Sequence, residues 1–395
     1  MTSPDRPTVM ARLGLSRPKG ELGLVPVAVG LVLIAVGFHI ANDAFLSSRN
    51  LSNLVLQAAT LSVLTLGVML VLLIGEIDLS VGAVSGVTAT AMAMLSALAG
   101  WPAWASIGAA LLLGILIGWG QGTWIVALRA PAFIVTLAGM LVWQGVQLAL
   151  LSPQSGQVRV EDTFITGLAS TYLPSAAGWV VATVVAVLGL GGIAVRRTLT
   201  ERAGYEVDPL VTDLVKAALV VAAPLGIAAI LNSYLGVPWL LVIVLVITGV
   251  LVVVTGSTVF GRHIYAVGGN AEAARRAGVR VRQLRVTIFI LASCLASIAG
   301  VLGVARTYSV SVNTGGGNLA LNAIAAAVIG GTSLFGGRGT IVGALLGALV
   351  ISSVQNGLAL LGQTAAAQVI ATGLILLAAV TLDVSTRRTT EGGDG

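Results

Sequence analysis

Thr258-Val-Phe-Gly-Arg-His-Ile-Tyr-Ala-Val-Gly-Gly-Asn-Ala-Glu-Ala-Ala-Arg-Arg-Ala-Gly-Val279 is the stretch on which the reading of this chain turns. It lies between two apolar runs, 238–256 and 286–306. Together with Arg280, Arg282 and Arg285 it makes a loop, Thr255–Arg285, that carries six arginines. Lys and Arg collect in cytoplasmic loops, so two membrane-spanning segments joined by this loop fix which side of the membrane it occupies. The rest of the topology can then be counted outward from it.

The composition supports that setting. Of 395 residues, 57% are hydrophobic and 9% charged, against about 25% charged in a soluble domain. So few charges cannot cover a water-facing surface, which excludes a soluble enzyme. A span needs about 20 apolar residues. Twelve runs qualify as candidates: 22–40, 51–75, 79–99, 103–127, 131–151, 178–195, 210–231, 238–256, 286–306, 319–335, 341–361 and 365–382. Two are weaker. The 210–231 run holds Asp213 and Lys216, and the 319–335 run is short and ends in glycines, as a half-helix or re-entrant segment would.

With twelve spans and the N-terminus inside, 17 of the 21 Lys and Arg residues fall on the cytoplasmic side. Only Arg49, Arg159 and Arg306 fall outside, and Lys216 sits at a helix end. Dropping one span would put the six-arginine loop outside; dropping two adjacent spans would not. The expected fold is therefore an all-α polytopic bundle of about 10–12 transmembrane helices with both termini cytoplasmic. Residues 1–21 are a cytoplasmic tail, 22–382 the membrane domain with a cytoplasmic loop at 257–285, and 383–395 a second tail. The run 22–40 has no small-x-small cleavage site after it and reads as a first helix rather than a cleaved signal. Trp101, Trp104, Trp179 and Trp239 fall near outer helix ends, where aromatic belts form. Gly82/Gly86, Gly114/Gly118 and Gly343/Gly347 have the spacing that lets helices approach closely in lipid. Cys294 lies inside an apolar run and reads as a small buried apolar residue.

Several chemistries find no support. Neither lysine stands in a G-x-x-x-x-G-K-[ST] phosphate loop. His39 and His263 are far apart and no metal-ligand spacing occurs. There is no G-x-S-x-G elbow. The positive charge is dispersed between apolar runs, which argues against nucleic acid.

Two segments carry the remaining signal. Glu76 and Asp78 stand between two spans in Gly75-Glu-Ile-Asp-Leu-Ser-Val-Gly82. Acids at membrane depth cost several kcal/mol unless paired or wet. They line a path or gate, or Asp78 and Ser80 cap the next helix. A Gly/Ser-rich break at Ile329-Gly-Gly-Thr-Ser-Leu-Phe-Gly-Gly337 echoes this one on the same face, each followed by a helix that opens with GxxxG. The second segment, Gly268–Gly278, reads as a short surface helix. Asn270 is the N-cap, Glu272 sits at the positive end, Arg275 and Arg276 at the negative end, and Gly278 is the stop. Ala271, Ala273, Ala274 and Ala277 give it a small apolar face. Such a helix is either a docking element for another protein or an ordinary basic loop.

The quoted stretch resembles the cytoplasmic loop of ribose/xylose-type sugar ABC transporter permeases. So do Gly75–Gly82, Phe45-Leu-Ser-Ser-Arg-Asn-Leu51, and Ala325–Gly339 running on to Asn356-Gly-Leu. The four blocks span nearly the whole chain in the family's order. The extra material around 155–235, with Tyr205-Glu-Val-Asp-Pro209 and Leu231-Asn-Ser-Tyr234, is similar to the xylose-type long form. Glu76 departs from the pattern, which has glycine there.

The resemblance implies a membrane subunit of a bacterial inner-membrane importer for a monosaccharide, with xylose favoured and ribose an alternative. A secondary carrier driven by ions through Glu76 and Asp78 is the other class. The implied partners are an ATP-binding subunit inside, which would hold ATP and Mg, a sugar-binding protein outside, and a second permease copy. The chain itself would bind no cofactor and hydrolyse nothing. Gly269, Asn270, Glu272, Ala273, Ala274, Arg275 and Gly278 take the ATPase-coupling role. Sugars call for amides and hydroxyls along the path. Glu76, Asp78, Ser80, Gln57, Asn322, Gln355 and Asn356 are the path or gate candidates, with Asn53, Gln144, Gln147, Asn313 and Asn318 behind them. Each amide is alternatively an interhelical hydrogen bond.

Overall fold

The computed structural model describes residues 24–202, 204, 209–316 and 318–391. The expected tail 1–21, most of Tyr205–Pro209 and residues 392–395 lie outside the described residues. The chain begins with α1 (Leu24–Ala41), α2 (Ser48–Leu73), α3 (Val81–Ala97), α4 (Ala103–Leu128) and α5 (Ala132–Leu151). Next come β1 (Gln157–Arg159), α6 (Thr163–Ser170), β2 (Tyr172–Leu173), α7 (Ser175–Arg202), α8 (Leu210–Asn232), β3 (Val237–Pro238) and α9 (Trp239–Ser257). The remainder is α10 (Val259–Gly269), α11 (Ala271–Arg276), α12 (Val281–Thr307), β4 (Ser309–Ser311), α13 (Leu319–Ile329), α14 (Ile341–Leu360) and α15 (Ala365–Glu391).

Every one of the twelve apolar runs is helical, so the chain is a polytopic helical membrane bundle. Among the described residues, eight helices are long and apolar enough to cross a membrane: α2, α4, α5, α7, α8, α9, α12 and α14. The apolar parts of α1, α3, α13 and α15 are shorter. The expected half-helix at 319–335 is α13, with 11 residues. At about 1.5 Å per residue it covers roughly 16 Å, half of a hydrocarbon core about 30 Å thick.

Capping residues start the helices where the apolar runs leave off. Ser47 accepts from the Asn50 amide at α2, Thr258 from Gly261 at α10, and Thr340 from Gly343 at α14. Asp162 accepts from Phe164 and Ile165 at α6. Each satisfies an amide that the first helical turn leaves without a partner.

The centre of the bundle is α2 and α12, surrounded by α3, α4, α13 and α14. The three small-xxx-small pairs are where helices or loops touch. A Cβ on Gly118 would overlap the Phe289 carbonyl oxygen of α12, and one on Gly114 would overlap Ser297. Gly343 and Gly347 meet the backbone of Gly330 and Ala326 at the end of α13. Gly82 and Gly86 meet Gly315 and Thr314. This last contact draws the segment between β4 and α13 down onto the first two turns of α3, so the polar backbone enters the bundle where α13 is too short to span it.

At the end opposite the six-arginine loop, two antiparallel strand pairs tie loops together. Gln157, Val158 and Arg159 pair with Ser311, Val310 and Ser309. Tyr172 and Leu173 pair with Pro238 and Val237. Helices α7 and α8 form an antiparallel hairpin at the periphery, with only 17% and 11% of their most apolar windows buried. Arg197 bonds to Asp213 and Glu201 at one end of it. The amide of Asn232 donates to Ser175 O at the other. Trp101, Trp104, Trp179 and Trp239 are all exposed, as interfacial anchors are. Cys294 is half-buried rather than fully buried.

Candidate coupling and translocation site

The break after α2 is built on Gly75, at φ +77°, a left-handed conformation that glycine adopts without strain. Beyond it, Glu76 Oε1 lies 3.2 Å from Arg285 Nη2 at the start of α12. Partial burial pushes the Glu76 carboxyl above its ordinary range, and the Arg285 guanidinium pulls the other way. Asp78 is only 2% exposed. Its Oδ1 accepts from the Ser80 amide at 2.8 Å and the Ser80 hydroxyl at 2.6 Å. Ser80 occupies the N-cap position of α3 but its side chain makes no cap hydrogen bond. Asp78 interacts with the amides of Ser80 and Val81, so the capping alternative holds for Asp78 and not for Ser80.

Ser80 Oγ also lies 3.0 Å from Gln121 Oε1 on α4. The Thr136 hydroxyl on α5 accepts from the Leu79 amide at 3.2 Å. The break is thereby fastened to two further helices. Asp78 Oδ2 and Gln121 Nε2 remain buried without a hydrogen-bond partner. Buried polar atoms are costly when unsatisfied.

The basic loop contains two helices rather than one. α10 covers Val259–Gly269, and the predicted Gly268–Gly278 helix is the shorter α11, which ends at Arg276. Asn270 caps α11 by accepting from the Ala273 amide at 2.9 Å. Gly278, at φ +89°, closes it. Glu272 bonds to Arg275 at 2.9 Å and to Arg276 at 3.3 Å. The Arg275 hydrogen bond holds its carboxyl below the ordinary range. The alanine face divides. Ala274 is buried against the bundle, Ala271 is half-buried, and Ala273 and Ala277 face out with Glu272, Arg275, Arg276 and Gly278. A six-residue helix has fewer than two turns, too few for a repeating pattern to mark its inner side.

Just before α11, Gly268 meets the two breaks. The Gly337 amide donates to the Leu73 carbonyl at the end of α2 at 2.9 Å. A Cβ on Gly268 would overlap Leu73 O, and one on Gly336 would lie 2.8 Å from Gly268 O and 2.9 Å from Gly75 N. Tyr265 on α10 donates its hydroxyl to Gly339 O at 3.0 Å. The two echoing breaks therefore touch each other, and the basic loop touches both.

The amide candidates fall into separate groups. Asn356 on α14 and Asn50 on α2 exchange hydrogen bonds at 2.8 and 3.1 Å, and Asn356 also donates to Gln57 Oε1 at 3.3 Å. Gln57 and Asn356 are thus brought together, and apart from Glu76, Asp78 and Ser80. Gln147 donates to Ser311 O and Thr314 O, holding the inserted segment. Asn322, Gln355 and Gln144 are half-buried; Asn53, Asn313 and Asn318 are exposed. Asn50, Gln121, Thr136, Tyr265 and Arg285 were missed by the sequence reading. Gln121, a lone amide in the Gly-rich run of α4, was the one with a visible signal.

Among the described residues, recesses open at both ends of the bundle. One of about 630 Å³ is lined by Trp101, Gln154, Gln157, Arg159 and Glu161 beside the β1–β4 pair. The other, of about 560 Å³, lies between α4 and α12 and is lined by Trp119, Thr123, Arg282 and Gln283.

The chain is thus a many-helix membrane bundle with broken helices at its centre and a folded basic loop seated on the breaks. The chain belongs to the family described as branched-chain amino acid transport system / permease component, which it matches over residues 50–380. It is 37% identical to the xylose transport system permease protein of Haemophilus influenzae, over 93% of this chain and 99% of that one. It is 36% identical to the Escherichia coli protein of the same name, over 93% of each chain. It is 32% identical to the ribose import permease protein of Bacillus subtilis, over 90% of this chain and 91% of that one. No solved structure matches it. The expected ribose/xylose-type permease is borne out at the level of the family, which is a transport permease component rather than a catalytic enzyme.

Proposed function

We propose that this chain is the membrane subunit of an ATP-driven importer for a monosaccharide, with xylose as the substrate, in a bacterial inner membrane. The observation that carries the reading is α11, a capped helix presented on the arginine-rich loop and packed at its root against both helix breaks. A separate subunit that binds ATP and Mg docks on its outward face, Ala273, Ala277 and the exposed Glu272 and Arg275. A sugar-binding protein delivers the ligand at the opposite end, and two copies of this chain enclose the path. Movement of α11 as the ATPase closes tilts the bundle and alternates access.

Xylose is favoured over ribose because the xylose permeases share more identity and a closely matched length with this chain. The break at Glu76–Ser80 serves as the inner gate. The Glu76–Arg285 pair fits a structural ion pair better than a proton relay, which needs a carboxyl free to exchange protons.

Reconstitution tests this. Vesicles containing the chain, its ATP-binding subunit and its sugar-binding protein should accumulate labelled xylose only with ATP. Vesicles containing the chain alone should accumulate none under a proton or sodium gradient. Gradient-driven uptake by the chain alone would establish the ion-coupled carrier instead. ATP-driven uptake of ribose in preference to xylose would reassign the substrate and keep the class.

A further inference from the structure

A docking helix moves a bundle only if its root is stiffly joined to the helices that must tilt. Most helix contacts are made by side chains, which have several rotamers and can yield. The contact at the root of α11 has none. Gly268 lies against the carbonyl of Leu73 so closely that a single added carbon would overlap it. Gly336 stands between Gly268 O and the amide of Gly75, and Gly337 donates to Leu73 O at 2.9 Å. Gly337 also approaches Gly269 N. Tyr265, one turn before Gly268, is bonded to Gly339 in the same loop. Three backbones thus meet directly: the end of α2, the end of α10 and the turn between α13 and α14.

We infer that Gly75, Gly268, Gly336 and Gly337 form a side-chain-free joint that transmits displacement of α11 simultaneously to α2 and to the α13–α14 turn, and that Gly268 is its positioning residue. The inference rests on α11 being the coupling helix. Close-packed backbone contacts switch between discrete arrangements rather than deform gradually, so the joint passes on a small motion without slack. The two related breaks then move as one unit.

A glycine on α9 supplies the control. A Cβ on Gly256 would meet nothing within 4 Å. The assembled importer, with its ATP-binding subunit and sugar-binding protein in nanodiscs, is compared as wild type, Gly268→Ala and Gly256→Ala. Gly268→Ala should still bind the ATP-binding subunit, yet lose sugar-stimulated ATP hydrolysis by about tenfold, the size of a typical coupling between sites. Gly256→Ala should behave as wild type. Wild-type stimulation in Gly268→Ala, or loss of subunit binding together with stimulation, would overturn the joint.

A second measurement leaves the joint intact. In a Cys294→Ala background, spin labels are placed at Ala266→Cys and Ile77→Cys, both exposed positions on either side of the joint. Their separation should be the same with and without a non-hydrolysable ATP analogue; a change would show that the joint slips. If wild-type chain fails to bind any ATP-binding subunit, the coupling reading itself fails, an outcome distinct from either of these.

Discussion

Asn50 on α2 and Asn356 on α14 exchange hydrogen bonds between their side-chain amides deep in the bundle, although 306 residues separate them. Both side chains are buried, and Asn50 also donates to Phe45 O. The pair fastens the two helices together and has no amide donors left over for a sugar. Asn356→Leu should therefore destabilise the fold by about 1–2 kcal/mol, read as a lower thermal unfolding midpoint in detergent. The KM for transport should stay unchanged. The double variant Asn50→Leu/Asn356→Leu should recover part of the loss, because no amide is then stranded. A raised KM with an unchanged midpoint would place Asn356 in the path.

Glu76 offers a pH test whose sign follows from its surroundings. Burial raises its carboxyl above the ordinary range despite Arg285. A carboxyl that holds its proton more tightly when folded favours the folded state at acid pH, and this advantage is lost as pH rises through its folded value. Glu76→Gln should therefore be at least as stable as wild type at pH 7, with the two midpoints converging below about pH 4, where the unfolded carboxyl is protonated too. A difference between the two that is independent of pH would refute the burial argument. Arg285→Gln leaves the carboxylate without its counter-charge and should lower the midpoint at pH 7.

The two sides of α11 predict opposite phenotypes. Ala273→Glu places a charge on the outward face and should abolish co-purification with the ATP-binding subunit without changing the permease's unfolding midpoint. Ala274→Glu buries a charge against the bundle and should lower the midpoint itself. Asn270→Ala removes a cap of typically about 1 kcal/mol and should weaken stimulation of ATP hydrolysis while the bundle melts as before.

Between α4 and α12, Gly118→Ala should cost about 1–3 kcal/mol by overpacking, since the added methyl meets Phe289 O. Gly120→Ala, where the same carbon meets nothing, should be neutral in the same melting assay. Equal midpoints for the two would mean that the helices separate easily at this seam.

The sequence made the helices legible because lipid imposes a length and a composition on each, and all twelve runs appear. The half-helix at 319–335 was legible from Gly330 and Gly331, and α11 from Asn270 and Gly278, because caps are local signals. What touches what was not. The Asn50–Asn356 pair and the meeting of Gly268 with Leu73 join distant positions that carry no periodic mark. The inner side of α11 was hidden by its shortness, and the helix α10 by its resemblance to a plain basic loop. Asp78 and Ser80 have the composition of a cap, but only Asp78 reaches the first amides of α3, while the Ser80 hydroxyl is turned to Asp78 and Gln121.

The α7–α8 hairpin has so little of its surface against the rest that its removal would leave the central helices, the breaks and α11 with nearly all their neighbours. It resembles an outrigger: an added pair of helices that widens the footprint in the bilayer while leaving the working parts alone. A change in the length of this outrigger would therefore leave the central contacts of the bundle as they are.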